Sequence, residues 1–404
     1  MAGRGARIDD TAAWRGGRRV RLLHTSDWHL GRTFHRVSLL AEQETFLDHL
    51  VGVARAERVD AVLVAGDVYD RAVPPLAAVR LFDEALHRLA ALGVPTVMIS
   101  GNHDSPHRLG VGGRLLARAG IHLRTRPEEC GTPALLPDAH GPVAVYGLPY
   151  LEPTLTREPL GAEAPRHAAV LRAAMDRVRA DLATRPPGTR AVVLAHAFVT
   201  GGQPSDSERD ITVGGVAAVP VATFDGAHYT ALGHLHGCQT LTERVRYSGS
   251  PLPYSFSEAG HRKSLWLVDL DAAGAVHAER VDVPLGRPLA RLRGRLDDLL
   301  SDAELSPHEG AFVEATLTDP IRPEEPMARL TARFPHAVSL LFEPERAPGQ
   351  AVDSYARRLD GRTDEQVAED FVAHVRAGQG PDGAERAALR AALTAARVGQ
   401  ERDE

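Results

Sequence analysis

The stretch that decides the fold is Val94-Pro95-Thr96-Val97-Met98-Ile99-Ser100-Gly101-Asn102-His103-Asp104. Its apolar half has the length of a buried strand, and its polar half sets metal- or phosphate-binding side chains in succession where that strand runs out. Asn and Asp crowd into ordinary turns, so the quartet alone says little. The segments before it give it meaning. Val20 to His24 is a short apolar strand leading into Thr25-Ser26-Asp27-Trp28-His29, and Leu39 to Ala54 carries Leu40, Phe46, Leu47, Leu50, Val51 and Ala54 at helical spacing. Val59 to Ala65 is a second strand, ending in Gly66-Asp67-Val68-Tyr69-Asp70. Pro74-Pro75 opens a second helix with Leu76, Val79, Leu86 and Leu89 on one face. Strand, helix, strand, helix, strand predicts an α/β fold with a parallel sheet and right-handed crossovers. In such sheets ligands gather beyond the carboxyl ends of the strands.

Composition narrows the function. A chain of 404 residues, 43% hydrophobic and 25% charged, has room for two domains or more. A net charge of -6 gives no global attraction to nucleic acid, so any DNA contact must come from a local basic patch or from bound metal. Cys130 and Cys238 fit no CxxC spacing, which indicates neither a disulfide framework nor a zinc ribbon. No apolar run approaches a membrane span, and the Arg-rich start lacks the apolar segment of a signal peptide. A cytoplasmic protein with no membrane partner is the expectation.

Two more strands end in polar clusters. Ala191 to Leu194 runs out into Ala195-His196-Ala197, and Tyr229 to Leu232 into Gly233-His234-Leu235-His236. Residues at alternate positions face one side if the chain stays extended, so His234 and His236, and likewise Asp27 and His29, can address a common site. The strand ends together offer Asp27, His29, Asp67, Asn102, His196, His234 and His236. Mixed imidazole and carboxylate favours manganese, iron or zinc over calcium. The set is too large for one ion; a pair about 3.5 to 4 Å apart, sharing a carboxylate, clamps a phosphate ester and activates water. Each residue also has an ordinary reading: a lone His at a strand end is usually a satisfied polar residue, and Asp70-Arg71 reads equally as an ion pair.

The order Asp27-x-His29, Gly66-Asp67-x-x-Asp70, Gly101-Asn102-His103-Asp104, His196, Gly233-His234-x-His236 resembles the calcineurin-like metallophosphoesterase superfamily. The nearer resemblance is to its bacterial nuclease subunits that work with an SbcC-like coiled-coil ATPase. It is carried by Leu23 to Arg32, Ala65 to Arg71, Ser207-Glu208-Arg209, Ala231 to His236 and Tyr247-Ser248-Gly249-Ser250-Pro251. This resemblance implies a four-layer α/β/β/α sandwich and two divalent ions, Mn2+ by preference. Asp27, His29 and His236 would hold one ion, Asn102, His196 and His234 the other, and Asp67 would bridge them. His103 would contact the scissile phosphate and protonate the leaving oxygen, with the Asp70 carboxylate orienting it and Asp104 as the fallback. DNA is the implied substrate, an SbcC-like ATPase the implied partner, and a homodimer of nuclease subunits the implied assembly. Phosphoprotein phosphatases use nearly the same ligands, but this chain has Ala72 and Asp104 where they carry Gly and Glu. A cyclic-nucleotide phosphodiesterase and a non-catalytic scaffold for a partner ATPase are the other readings; the complete ligand set speaks against the scaffold.

Residues 1-19, rich in Gly, Arg and Ala and without hydrophobic period, read as a disordered leader, and the expectation is that Val20 marks the true start through an alternative start codon. Lys263 is the only lysine, which fits a GC-rich genome. Residues 20-283 then form the metallophosphoesterase domain. Within it Trp28 reads as packing, Thr200 to Gly215 as either a connector or a DNA contact, and Arg244 to Tyr247 and Ser264 to Leu270 as strands of a second sheet. Residues 284-346 are expected to be a small α+β capping domain, with Leu289 to Leu300 helical in period, strands at Ala311 to Leu317 and Ala337 to Phe342, and a helix over Glu325 to Phe334. Residues 347-404 hold a linker at Ala347 to Ala351 and two helices. The first starts at a Thr363-Asp364-Glu365-Gln366 capping box and carries an apolar stripe of Val367, Phe371, Val372 and Val375; the second is Ala-rich. By resemblance these helices bind the partner ATPase.

Overall fold

The computed structural model describes residues 19-211, 218-284, 286-345, 361-376 and 378-403. The expected leader apart from Arg19, the linker over 347-351 and part of the 200-215 loop lie outside the described residues. The chain divides into two compact units, one up to Leu289 and one from Ala290 onward.

The first unit is built on two six-stranded sheets. One runs in the order Val276–Asp282, Ser264–Leu270, Val20–Thr25, Ala61–Val64, Thr96–Ile99, Ile121–Arg124. Its last four strands are parallel, as the strand–helix alternation requires, and the first two are antiparallel additions. The other sheet has the order Gln239–Thr240, Val245–Tyr247, Tyr229–Gly233, Arg190–His196, Val143–Leu148, Ala134–Leu136. Alternation along the strands separates three apolar layers. Leu23, Val62, Val64 and Met98 face Phe46, Leu50, Phe82 and Leu89 of the helices Leu40–Ala56 and Leu76–Ala91. Leu22, Ala61, Leu63, Val97 and Ile99 point the other way, onto Val145, Val192, Leu194 and Ala231 of the second sheet. That sheet's far side packs Tyr146, Val193 and Leu232 against Val170, Ala174 and Val178 of the helix His167–Ala183. The result is a helix–sheet–sheet–helix sandwich.

Three expectations need correction here. The strands Arg190–His196 and Tyr229–Gly233 belong to the second sheet, so the strand ends come from two sheets instead of one. Conversely, Ser264–Leu270 joins the first sheet: it pairs antiparallel with Val20–Thr25, held by a two-pronged Arg21–Asp269 ion pair at 2.9 and 3.1 Å. The helix Leu76–Ala91 buries Ala78, Phe82, Ala85 and Leu89, while Leu76 and Val79 are exposed.

In the second unit a three-stranded sheet, Leu289–Gly294, Phe312–Leu317 and Ala337–Phe342, packs Leu292, Val313 and Ala315 with Leu330 and Phe334 of the helix Pro326–Arg333 and its end. Leu289–Gly294 is thus a strand, with only Leu296–Ser301 helical, because the run Ala290-Arg291-Leu292-Arg293 alternates buried and exposed residues. The helix Asp364–Val375 starts at Thr363, whose capping box with Gln366 is formed. It pairs with Gly383–Asp403 through Arg376–Glu385 and Arg386–Glu369 ion pairs, leaving Phe371 and Val375 exposed.

Candidate metal centre

Loops from the two sheets meet at the carboxyl ends of their parallel strands. The Asp27–His29 and Gly66–Val68 segments run side by side, with the Asp27, His29 and Leu30 amides donating to the Gly66, Asp67 and Val68 carbonyls at 2.9 to 3.0 Å. Neither segment is extended: Asp27, His29 and Asp67 have φ of 54°, 47° and 48°, and His234 has 106°. Left-handed backbone at non-glycine residues costs on the order of 1 to 3 kcal/mol each and persists where surrounding structure holds it. Asp27 and His29 therefore converge through strained turns and not through strand alternation. Glycines make the approach possible. A Cβ on Gly233 would lie 2.0 Å from the Ala65 carbonyl oxygen, and one on Gly101 2.1 Å from Asp67 Oδ1. Trp28 packs edge-on to Phe46 and donates its indole N–H to Thr25 Oγ1, as the packing reading expects.

All seven sequence-picked metal candidates are brought together and, Asn102 apart, are buried. Donor atoms of Asp27, His29 and His236 lie within 4.8 Å of one another, as do those of Asp27, Asp67 and His196, and of His29, Asp67 and His103. Asp67 Oδ2 stands between the two halves, 3.6 Å from His29 Nε2 and 3.4 Å from His196 Nε2. Asn102 Oδ1 is 2.9 Å from His196 Nε2 and 3.2 Å from His234 Nδ1.

The donor chemistry suits a cation. His196 Nδ1 must donate to the Ala65 carbonyl at 2.8 Å, so in the neutral ring Nε2 turns a lone pair toward Asn102 Oδ1 and Asp67 Oδ2. His236 Nδ1 donates to Ser207 Oγ at 2.5 Å, because the Ser207 hydroxyl proton goes to the Glu258 carboxylate, and His236 Nε2 then faces His29 Nε2 at 3.1 Å. At His196 a neutral ring would set acceptor against acceptor, so that half of the cluster is stable only with positive charge among its groups, supplied by a proton or by an ion. The electrostatics agree. Burial pushes Asp27 up to about 6 and His234 down to about 3. Burial also pulls His196 down, but Asp67 overrides it and lifts the ring to about 9.

His103 lies beside this cluster. Its amide donates to Asp67 Oδ1 at 2.8 Å and its ring packs edge-on to His29. The expectation that the Asp70 carboxylate orients it is corrected: His103 Nδ1 donates to the Asp70 backbone carbonyl at 2.7 Å. The Asp70 carboxylate instead lies 3.2 Å from Arg32 and 3.7 Å from both Arg71 and His29 Nδ1. Asp104 does not orient His103 either. It accepts from the Val68, Tyr69 and Gly101 amides at 2.9 to 3.1 Å and pins the second and third loops to each other.

Several supporting residues escaped the sequence reading. Gln43 donates to the Trp28 and His29 carbonyls and accepts from the Gly31 amide; Tyr254 O–H donates to the Trp28 carbonyl. Glu208 Oε1 accepts the His236 amide at 2.7 Å, which ties the described part of the 200-215 loop to the site. Glu258 and Lys263 form a buried pair just behind His236. Burial alone would push the Glu258 carboxyl up; hydrogen bonding to His236 and the Lys263 charge hold it well below the usual range. Glu208 stood in a stretch that carried the resemblance, without a role; for the Glu258–Lys263 pair the signal in the sequence was one lysine in a chain of arginines.

Two β-sheets back to back with a histidine- and carboxylate-rich cluster at their shared edge define a metallophosphoesterase, and residues 20–238 match the family described as calcineurin-like phosphoesterase. Residues 286–376 match the family described as type 5 capsule protein repressor C-terminal domain. The SbcD subunit of nuclease SbcCD from Bacillus subtilis (strain 168) is 37% identical over 283 residues, covering 67% of this chain and 72% of that protein. Its counterpart in nuclease SbcCD from Escherichia coli (strain K12) is 34% identical over 304 residues, covering 70% and 74%. The chain belongs to the SbcD branch of the calcineurin-like phosphoesterase family.

Proposed function

We propose that this chain is the nuclease subunit of an SbcCD-type complex, a metal-dependent phosphodiesterase that hydrolyses DNA at ends or hairpins together with an SbcC-like ATPase, in DNA repair and recombination. The observation that carries the reading is the apposition of imidazole, amide and carboxylate acceptors from both sheets around Asp67, with His103 alongside. Asp27, His29 and His236 would hold one divalent ion and Asn102, His196 and His234 a second, with Asp67 shared between them; the mixed imidazole and carboxylate set suits a first-row ion, with Mn2+ as our preferred candidate. When bound, two such ions would supply Lewis acidity toward a phosphate ester and its attacking water. The rest falls to the chain. Asp67 and the strained turns fix the donors so that no rearrangement is needed during reaction. His103, with Nδ1–H held by the Asp70 carbonyl, presents Nε2 to the leaving oxygen; it donates a proton there as the imidazolium, protonated on both nitrogens, and is left as the neutral Nδ1–H ring that the Asp70 carbonyl stabilises. Arg209, exposed and 3.4 Å from the Asn102 carbonyl, supplies a cation at the rim for the DNA backbone.

The same reading keeps residues 20-283 as the nuclease domain, 284-346 as a capping domain that positions DNA, and 347-404 as the segment that binds the ATPase. It also pairs two nuclease subunits, which light scattering on the purified complex checks. The test of function is cleavage of end-labelled duplex DNA and of a phosphopeptide, side by side, with Mn2+ and with a chelator. Metal-dependent cutting of DNA alone is expected; phosphopeptide turnover with intact DNA would move the protein to the phosphatase branch.

A further inference from the structure

Lys263 is the one lysine among 47 basic Lys and Arg residues, and it is buried at 3% exposure directly behind the metal centre. Its ammonium makes three hydrogen bonds, to the His236 carbonyl at 2.9 Å, to Ser250 Oγ at 2.8 Å and to Glu258 Oε2. An ammonium has three donors, and here each has an acceptor. A guanidinium would bring five donors in a plane and leave some buried and unpaired, which is why the chain departs from arginine at this position. Glu258 in turn accepts from Ser207, and Ser207 accepts from His236 Nδ1 at 2.5 Å. Every hydrogen bond along this relay has a fixed direction, because a carboxylate only accepts and an ammonium only donates.

We propose that Lys263 is a positioning residue which, through Glu258 and Ser207, locks the ring orientation and tautomer of His236 and so sets the affinity of the Asp27–His29–His236 half of the centre for its ion. The inference rests on the metal assignment proposed above. Partners behind a ligating imidazole are worth about 10- to 100-fold in metal affinity. The metal-free full-length chain is titrated with Mn2+ by calorimetry, as wild type, Ser207→Ala, Lys263→Met and the double variant. Wild type takes up two equivalents. Each single variant weakens one of them about 10- to 100-fold and spares the other, and the double variant is no weaker than the worse single, because both act along one path. Losses that multiply in the double variant, or two equivalents binding as in wild type, overturn the proposal; multiplied losses are what a merely structural lysine would give. If Lys263→Met does not fold, Lys263→Gln with Ser207→Ala runs the same cycle. A wild-type chain that takes up no Mn2+ overturns the metal assignment itself and this inference with it.

Discussion

At the scale of single residues, His103 and Asp67 sit side by side and are expected to fail differently. His103 has its Nδ1 engaged by a main-chain carbonyl, and its removal deletes a proton donor but no bridging carboxylate. His103→Ala is expected to keep its metal, read by elemental analysis of the purified protein, while DNA cleavage falls about 10²- to 10⁴-fold. Asp67→Ala is expected to lose both, because its Oδ2 is shared between His29 and His196; normal metal content in that variant would refute the bridging role. The residue scale also shows where sequence reading stops. Asp27, His29, Asp67, Asn102 and the three histidines were legible because their side chains are the chemistry. The group that orients His103 was not, because it is the Asp70 carbonyl and any residue carries one. Asp104 was equally opaque: its oxygens are consumed by three backbone amides, a task no spacing announces.

At the scale of elements, the helix Leu76–Ala91 separates pattern from packing. Leu76 and Val79 belong to an apolar spacing but face solvent, whereas Phe82 packs edge-on to Tyr69 among the core residues of the first sheet. Phe82→Ala is expected to destabilise the first unit by about 3 to 5 kcal/mol, and Leu76→Ala by no more than about 0.5 kcal/mol, in denaturant unfolding. Small buried residues such as Ala78 and Ala85 defined the true face, and a hydrophobicity pattern gives alanine little weight. The strand Leu289–Gly294 was hidden for the opposite reason. Leu289, Leu292, Leu296 and Leu299 fall at helical spacing only because a strand with buried Ala290 and Leu292 is followed at once by a short helix. The period-two signal of Arg291, Arg293 and Arg295 was there to be read.

At the scale of the molecule, the two sheets of the first unit are fastened at both ends, and neither fastening is visible in chain order. Parallel strands announce themselves one at a time, so the sequence showed which ends carry donors but not which sheet each belongs to. Away from the metal centre, buried Arg190 of the second sheet bonds Asp138 at 2.6 Å and the Asp271 carbonyl, just past a first-sheet strand, at 2.9 Å. Burial would raise the Asp138 carboxyl, but the hydrogen bond and charge of Arg190 hold it below its ordinary value. A lowered carboxylate pKa contributes stability that is complete above the unfolded value of about 4 and drains away as pH falls through the folded one. Asp138→Ala, which strands the buried Arg190 charge, is therefore expected to cost about 3 to 5 kcal/mol near neutrality. The Asp138→Asn protein should lose less stability than wild type between pH 5 and pH 3, both read by thermal unfolding; equal acid losses would mean the pair adds nothing.

The other end is fastened by the strand-end donors themselves. There Asp27 and Asp67 are buried close together and Asp67 raises the cost of ionising Asp27, a repulsion that bound cations would turn into attraction. An unfolded chain cannot gather donors from both sheets, so ions bind the native state alone and must stabilise it. At a hundredfold excess over Kd each ion contributes about 2.7 kcal/mol. The thermal midpoint of the first unit should rise with Mn2+, fall back on chelation, and stay fixed in Asp67→Ala. A melting curve of the wild-type chain that is the same with Mn2+ and with chelator would mean that these strand ends, however well they converge, do not share an ion. The same melts in Mg2+, Zn2+ and Ca2+ would rank the ions without any nuclease assay, and a donor set rich in imidazole is expected to respond to Ca2+ least.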